Sequence, residues 1–209
     1  MVISHKYKFI FIKNGKTAST SIEVFLSQIC ADSDIFTPIY PPVTPHVPRN
    51  HEGFYNRMTS AEIRDQIGEQ TWKNYFKFCV ERNPWDKMIS YYHMAKFRVN
   101  GNLTLDEFLA TGVFPVNFPR YTEPKDPTQI IVDQIIYYED LIAGLGEVFK
   151  KLDIPFYGSL GVGAKSEYRT DYRFYQDILT EEQAHKIQDI FATEISLHGY
   201  CFDGSRQKL

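Results

Sequence analysis

Two runs of this chain carry residue types suited to holding negative charge. The first reads Lys13-Asn14-Gly15-Lys16-Thr17-Ala18-Ser19-Thr20-Ser21. An apolar aromatic stretch at 7–12 precedes it and has the composition of a buried parallel strand. After it, Ile22, Phe25, Leu26 and Ile29 share one face at helical spacing, so a helix is expected over 20–29. Strand, tight loop and helix start leave the first helical N–H groups unpaired and add about half a positive charge of macrodipole. Lys16 contributes a full charge, and Thr17, Ser19, Thr20 and Ser21 can donate from hydroxyls. Gly15-Lys16-Thr17 matches the end of GxxxxGK[ST], but the first glycine of that motif would fall at Ile10, inside the strand. The loop is too short to wrap a triphosphate, so a smaller anionic group is expected.

The second run reads Glu81-Arg82-Asn83-Pro84-Trp85-Asp86-Lys87-Met88-Ile89-Ser90-Tyr91-Tyr92. Arg82 leaves the end of an expected strand at 75–80, and Asn83-Pro84 breaks that strand. Asp86 is expected to cap a helix through Met88, Tyr91, Tyr92 and Ala95. Ser90 then falls in the first turns. An arginine fork with a nearby hydroxyl suits a terminal phosphate.

Further elements must position these runs. Residues 34–56 contain five prolines and read as a long loop. Thr59 or Ser60 can cap a helix over 61–67, and Thr104 one ending near Leu109. Residues 111–127 read as irregular and 130–138 as a third strand. Asp140 is placed to cap a helix burying Leu141, Leu145, Val148, Phe149 and Leu152. Thr180 to Gln183 matches a capping box ahead of a last helix burying Ile187, Ile190, Phe191 and Ile195. Strands alternating with helices predict a single α/β domain over 1–209, three-layer α/β/α with a mostly parallel central sheet. Ligands on such sheets sit at the carboxyl ends of the strands, where both runs fall.

KTASTS at 16–21 and FKFCVERNPWDKMISYY at 76–92 resemble the sulfotransferase family, particularly its carbohydrate branch, with PKTxGTS-like and FxFVRNPWDRxxSxY-like segments. YYEDL at 137–141, YRTDY at 168–172 and HGYCF at 198–202 extend the likeness in family order. Gly15 and Ser19 stand where relatives carry proline and glycine, and Glu81 replaces an apolar residue. The resemblance implies a P-loop-like sulfotransferase fold and 3′-phosphoadenosine 5′-phosphosulfate (PAPS) as donor, leaving the bisphosphate PAP. It implies that Lys16, Thr17, Ala18, Ser19, Thr20 and Ser21 hold the 5′-phosphosulfate, with Lys16 also catalytic. Arg82 and Ser90 would hold the 3′-phosphate, and Lys165, Ser166 and Arg169 would close over the nucleotide. Relatives place a catalytic His or Glu between the two motifs, where this chain has His46 and His51. His51 is the expected general base, because Glu52 adjoins it and Phe54-Tyr55-Asn56 is family-like; Glu52 is the second choice. A sugar hydroxyl is the expected acceptor.

The net charge of −3 argues against a general nucleic-acid binder. Cys30, Cys79 and Cys201 sit in apolar runs and read as reduced thiols. No apolar run is long enough for a signal or membrane segment, so a cytoplasmic protein with no membrane partner is expected. Histidines and cysteines lack metal-ligand spacing, so no metal is expected. A small-molecule kinase using ATP would need a longer glycine-rich loop and a carboxylate for magnesium. A binder of PAPS or PAP that has lost its base is the other alternative.

Overall fold

A computed structural model describes residues 1–163, 168–169 and 171–207. The chain divides into two compact units, Met1–Glu81 with Phe118–Ala164, and Arg82–Asn117 with Lys165–Leu209.

The first unit is built on a five-stranded sheet of order β3-β1-β2-β4-β7. β2 (Phe9–Ile12) buries all four side chains, as a run of aromatic and β-branched residues with no polar alternation requires. It pairs in parallel with β4 (Phe76–Glu81), Ile12 opposite Cys79. On the far side of β4 lies β7 (Gln134–Tyr137), also parallel. The other side of β2 holds β1 (Val2–Ser4), antiparallel to it, and then β3 (Ile35–Phe36), antiparallel to β1. Four of the five strands therefore run one way, and β1 is the exception.

On one face of the sheet, Phe9, Phe11, Phe78, Val80 and Ile136 meet α1 (Ser19–Ser27) through Ile22 and Leu26, and α6 (Leu141–Lys151) through Leu145, Val148 and Phe149. Phe78 is central, with its ring 5.2 Å from Phe11 and 6.4 Å from Phe149. α2 (Ser60–Ile67) begins at Thr59, whose side chain forms a reciprocal capping box with Glu62. α3 (Glu69–Asn74) follows directly.

Several elements differ from expectation, each for a local reason. The third strand starts at Gln134 rather than 130, because the Asp133 carboxylate accepts from the Lys77 N–H at 2.7 Å and its Nζ at 2.9 Å. The stretch expected to be irregular holds a hairpin of β5 (Thr122–Glu123) and β6 (Asp126–Ile130). β1 and β3 had no strand-length signal, since each exists only through its neighbour in the sheet. Asp140 occupies the cap position of α6 but makes no side-chain cap hydrogen bond.

The second unit is helical: α4 (Pro84–Arg98), α5 (Leu105–Ala110), α7 (Tyr175–Ile178), α8 (Glu181–Ile190) and α9 (Ala192–His198). Thr104 and Thr180 form capping boxes with Glu107 and Gln183. The expected single last helix is interrupted at Phe191, giving α8 and α9. Trp85 is buried, its indole donating to the Ala184 carbonyl at 2.9 Å beside Tyr175 and Phe202. Lys87 and Glu194 form a fully buried ion pair. An unpaired charge there would be strongly destabilising, so the pair fixes α4 to α9 within this unit.

Candidate functional site

The carboxyl ends of β2 and β4 share one edge of the sheet. The 13–18 loop leaves β2 there, anchored at three points. Lys13 forms a buried ion pair with Glu23 of α1. The Asn14 side chain donates to the Val80 carbonyl of β4 at 2.8 Å. The Asn14 carbonyl accepts from the Ser19 hydroxyl at 2.9 Å and, more weakly, from Thr17 at 3.4 Å. Thr17 and Ser19 also bond each other at 2.8 Å. Two of the four hydroxyls expected to face a ligand are thus turned inward, where they brace the loop.

The loop offers an anion its main chain and Lys16. Lys16 and Ala18 have φ of 64° and 56°, in the left-handed region that costs a side-chain-bearing residue about 1–2 kcal/mol. Left-handed residues alternating with others turn successive N–H groups to one side, the geometry of an anion nest. Ala18 is the N-cap residue of α1 and makes no side-chain cap bond, and the first turn of α1 has no acidic residue. α2, α5 and α8 each carry a capping box with Glu or Gln. The start of α1 lacks that side-chain device, as do those of α3, α6, α7 and α9. Thr20 is half-buried and Ser21 buried.

The second run lies in the helical unit. Asn83, not Asp86, caps α4, its Oδ1 accepting from the Trp85 N–H at 3.1 Å. Asp86 is left to bridge two arginines. Its Oδ2 accepts from Nε and Nη2 of Arg82 at 2.8 and 2.6 Å, and its Oδ1 from Nη1 of Arg169 at 2.9 Å. Arg169 also donates to the Asp171 and Arg173 carbonyls at 2.9 and 3.0 Å. Arg82 is only 6% exposed, so this pairing aims a guanidinium that burial would otherwise disfavour. Two cations on one carboxylate give a local side-chain charge of +1. Ser90 is half-buried on α4, one turn beyond Asp86 on the same face. Arg82, Arg169 and Ser90 are therefore gathered in one unit. Lys165 and Ser166 lie outside the described residues.

Glu81, the last residue of β4, is fully buried and accepts from the Tyr121 hydroxyl at 3.1 Å. His51 is half-buried, its carbonyl accepting from the Phe54 N–H at 2.8 Å, and Glu52 is exposed. His46 is buried, its ring edge-on to Phe36 at 5.9 Å. Sequence reasoning missed Asp86 as a bridge, although its spacing of four from Arg82 is that of a helical ion pair. Nothing local announces the left-handed Ala18. Among the described residues no group of three or more His, Cys, Asp or Glu side chains is gathered to hold a metal ion, and no helix is long and apolar enough to cross a membrane.

This mixed α/β architecture, with its mostly parallel sheet, is the sulfotransferase fold. The mouse sulfotransferase SULT7A1, solved in complex with PAP, superposes with a TM-score of 0.56 over 92% of this chain and 86% of its own, at 13% identity. A sulfotransferase from Alicyclobacillus acidocaldarius aligns at a TM-score of 0.41 over 88% of this chain and 95% of its own, at 16% identity. By sequence, the chain is 40% identical over 101 residues to an uncharacterized protein of Archaeoglobus fulgidus, spanning 47% of this chain and 84% of that protein. The chain belongs to the same family as that archaeal protein. No family model matches it.

Proposed function

We propose that the protein binds PAPS and transfers its sulfuryl group to an acceptor hydroxyl. The observation that carries this reading is the loop after β2: two left-handed residues and a helix start without a side-chain cap, beside Lys16, at the carboxyl edge of a sheet of sulfotransferase fold. That loop is shaped for a compact anionic group. In this reading Lys16, Thr17, Ala18, Ser19, Thr20 and Ser21 take the 5′-phosphosulfate, mainly through main-chain N–H groups and the Lys16 ammonium. Arg82, Ser90 and Arg169 take the 3′-phosphate, and the resemblance adds Lys165 and Ser166. PAP in SULT7A1 supports the choice of nucleotide.

The chemistry requires the acceptor oxygen, the sulfur and the leaving phosphate oxygen to lie in line. Negative charge builds on the leaving oxygen as the S–O bond breaks, and Lys16 with the loop N–H groups stabilises it. A histidine of the 34–56 segment, His51 on the sequence motifs, takes the hydroxyl proton. A sugar hydroxyl is the acceptor class favoured by the sequence motifs. The three free cysteines support a reducing, cytoplasmic location.

Thermal-shift titration with PAP against ADP and ATP tests the proposal. Stabilisation by PAP at concentrations where ADP and ATP have no effect is expected. Equal stabilisation by ATP would transfer the reading to a kinase.

A further inference from the structure

The helical unit contains a cavity of about 350 Å³, at the lower end of the range of small-molecule sites, about 300–1,000 Å³. None of the residues assigned to the nucleotide lines it.

Its construction starts from the sequence of α8. Glu181, Ala184, His185 and Gln188 recur at the i, i+3, i+4, i+7 spacing that puts side chains on one helical stripe, and all four line the cavity. The smallest of them, Ala184, stands in the middle of the stripe, where a longer side chain would fill the space. Below it the Trp85 indole, 2% exposed and tied to the Ala184 carbonyl, forms the floor. Leu179 and Phe202 complete the wall.

That wall is braced from behind. The Phe202 carbonyl accepts from the Tyr175 hydroxyl at 2.8 Å and from the Gln176 amide at 3.2 Å. The Trp85 and Phe202 rings meet edge-on with centroids 5.5 Å apart, and Tyr175 stacks on Trp85 at 6.4 Å. A cavity held open in this way needs little reorganisation to take a ligand, which keeps the cost of binding low.

The chemistry of the wall selects the ligand. Two aromatic rings and a leucine suit an apolar, ring-bearing body. The polar side chains all come from α8, on one side of the cavity. Among the described residues, Glu181, His185 and Gln188 have no side-chain hydrogen-bond or ion-pair partner. Glu181 is the only carboxylate on the wall, and no lysine or arginine lines it. An ammonium group against Glu181 makes a charge-assisted hydrogen bond, whereas an anion in the same place meets a like charge. The neighbouring rings add to the preference for a cation.

We infer that this cavity, independently of the sulfuryl-transfer reading, is a binding site for a small primary amine carried on an apolar ring. The ring rests on Trp85, Leu179 and Phe202, and the ammonium group meets Glu181 at the mouth.

The test follows the indole N–H resonances of the full chain in ¹H–¹⁵N spectra. There are two tryptophans, Trp72 and Trp85, and Trp72→Phe tells their signals apart. The ligands added are phenethylamine, the uncharged phenethyl alcohol and the anionic hydrocinnamate. Phenethylamine is expected to shift the Trp85 resonance saturably, with a Kd of about 1 mM or tighter, and to leave Trp72 in place. Hydrocinnamate is expected to bind at least about fivefold more weakly, the scale of one exposed ion pair. Glu181→Gln is expected to weaken phenethylamine about fivefold and to leave phenethyl alcohol within about twofold. Ala184→Leu, which fills the space, is expected to remove binding of all three. The ligand series on the unsubstituted protein decides the matter even where Ala184→Leu misfolds. Absence of a saturable Trp85 shift with phenethylamine, hydrocinnamate binding as tightly as the amine, or undiminished amine affinity in Glu181→Gln overturns the assignment.

Discussion

Lys16 sits at a left-handed backbone position in the 13–18 loop, where its ammonium and the adjacent N–H groups belong to one short segment. Removing one preorganised donor to a developing oxyanion costs roughly 2.7–4 kcal/mol of barrier. Lys16→Ala is therefore expected to cut kcat by roughly 10²–10³-fold with stability unchanged, read from steady-state kinetics and a urea melt. Activity within a few-fold of wild type would reject the role. His46 makes a separate prediction about stability. Its folded pKa lies below the unfolded value of about 6.5, so neither state holds the proton at pH 7.5. As pH falls through about 6.5, the unfolded chain binds a proton that the folded one resists. Stability should therefore drop between pH 7.5 and 5.5, and the drop should be smaller in His46→Gln. Urea midpoints at the two pH values measure it; parallel losses in both proteins would count against the buried neutral imidazole.

At the scale of elements, α1 differs from α2, α5 and α8. Its N-terminus is closed by a left-handed alanine, not by a Thr-x-x-Glu or Thr-x-x-Gln box. A glycine adopts that backbone without the Cβ penalty, which offsets its larger entropy loss on folding. Ala18→Gly is expected to be neutral or stabilising by up to about 1 kcal/mol, and Ala18→Val to destabilise by more than about 1 kcal/mol. Chemical denaturation of both variants checks the sign. A destabilised Ala18→Gly would mean that the backbone there is not left-handed. α4 conveys a related point. Because Asn83 takes the capping role, Asp86 is released to hold Arg82 and Arg169 together. One helix start thus organises its own cap and the arginine pair assigned to the 3′-phosphate.

At the scale of the whole molecule, a ligand that binds only the folded chain adds its binding free energy to stability. Saturation at about 100 times Kd contributes about 2.7 kcal/mol. For a chain of this size that is a rise in Tm of roughly 5–10 °C. PAP is expected to produce a shift of that order, measured by differential scanning fluorimetry. Since the chain carries a net charge of −3, the attraction for a bisphosphate must come from local clusters, not from the overall field. The shift should then weaken but persist as salt rises, because the buried Arg82 is screened less than a surface charge. A shift abolished by modest salt would point to loose surface binding.

Sequence alone was enough to identify the buried strands of aromatic and β-branched residues, the threonine caps at Thr59, Thr104 and Thr180, and a loop carrying a glycine and a lysine between strand and helix. Each is a local pattern whose physics acts within a few residues: apolar burial, a side chain reaching an N–H three positions on, a glycine and a lysine between strand and helix. The existence of β1 and β3, the inward turn of Thr17 and Ser19, the bridge through Asp86 and the contrast between His46 and His51 were decided by tertiary structure. Strands of two or three residues exist only through their sheet partners. A hydroxyl can face a ligand or its own loop, and the carbonyl of Asn14 decides which. Two histidines five residues apart read alike in the chain, but packing against Phe36 buries one and leaves the other half-buried.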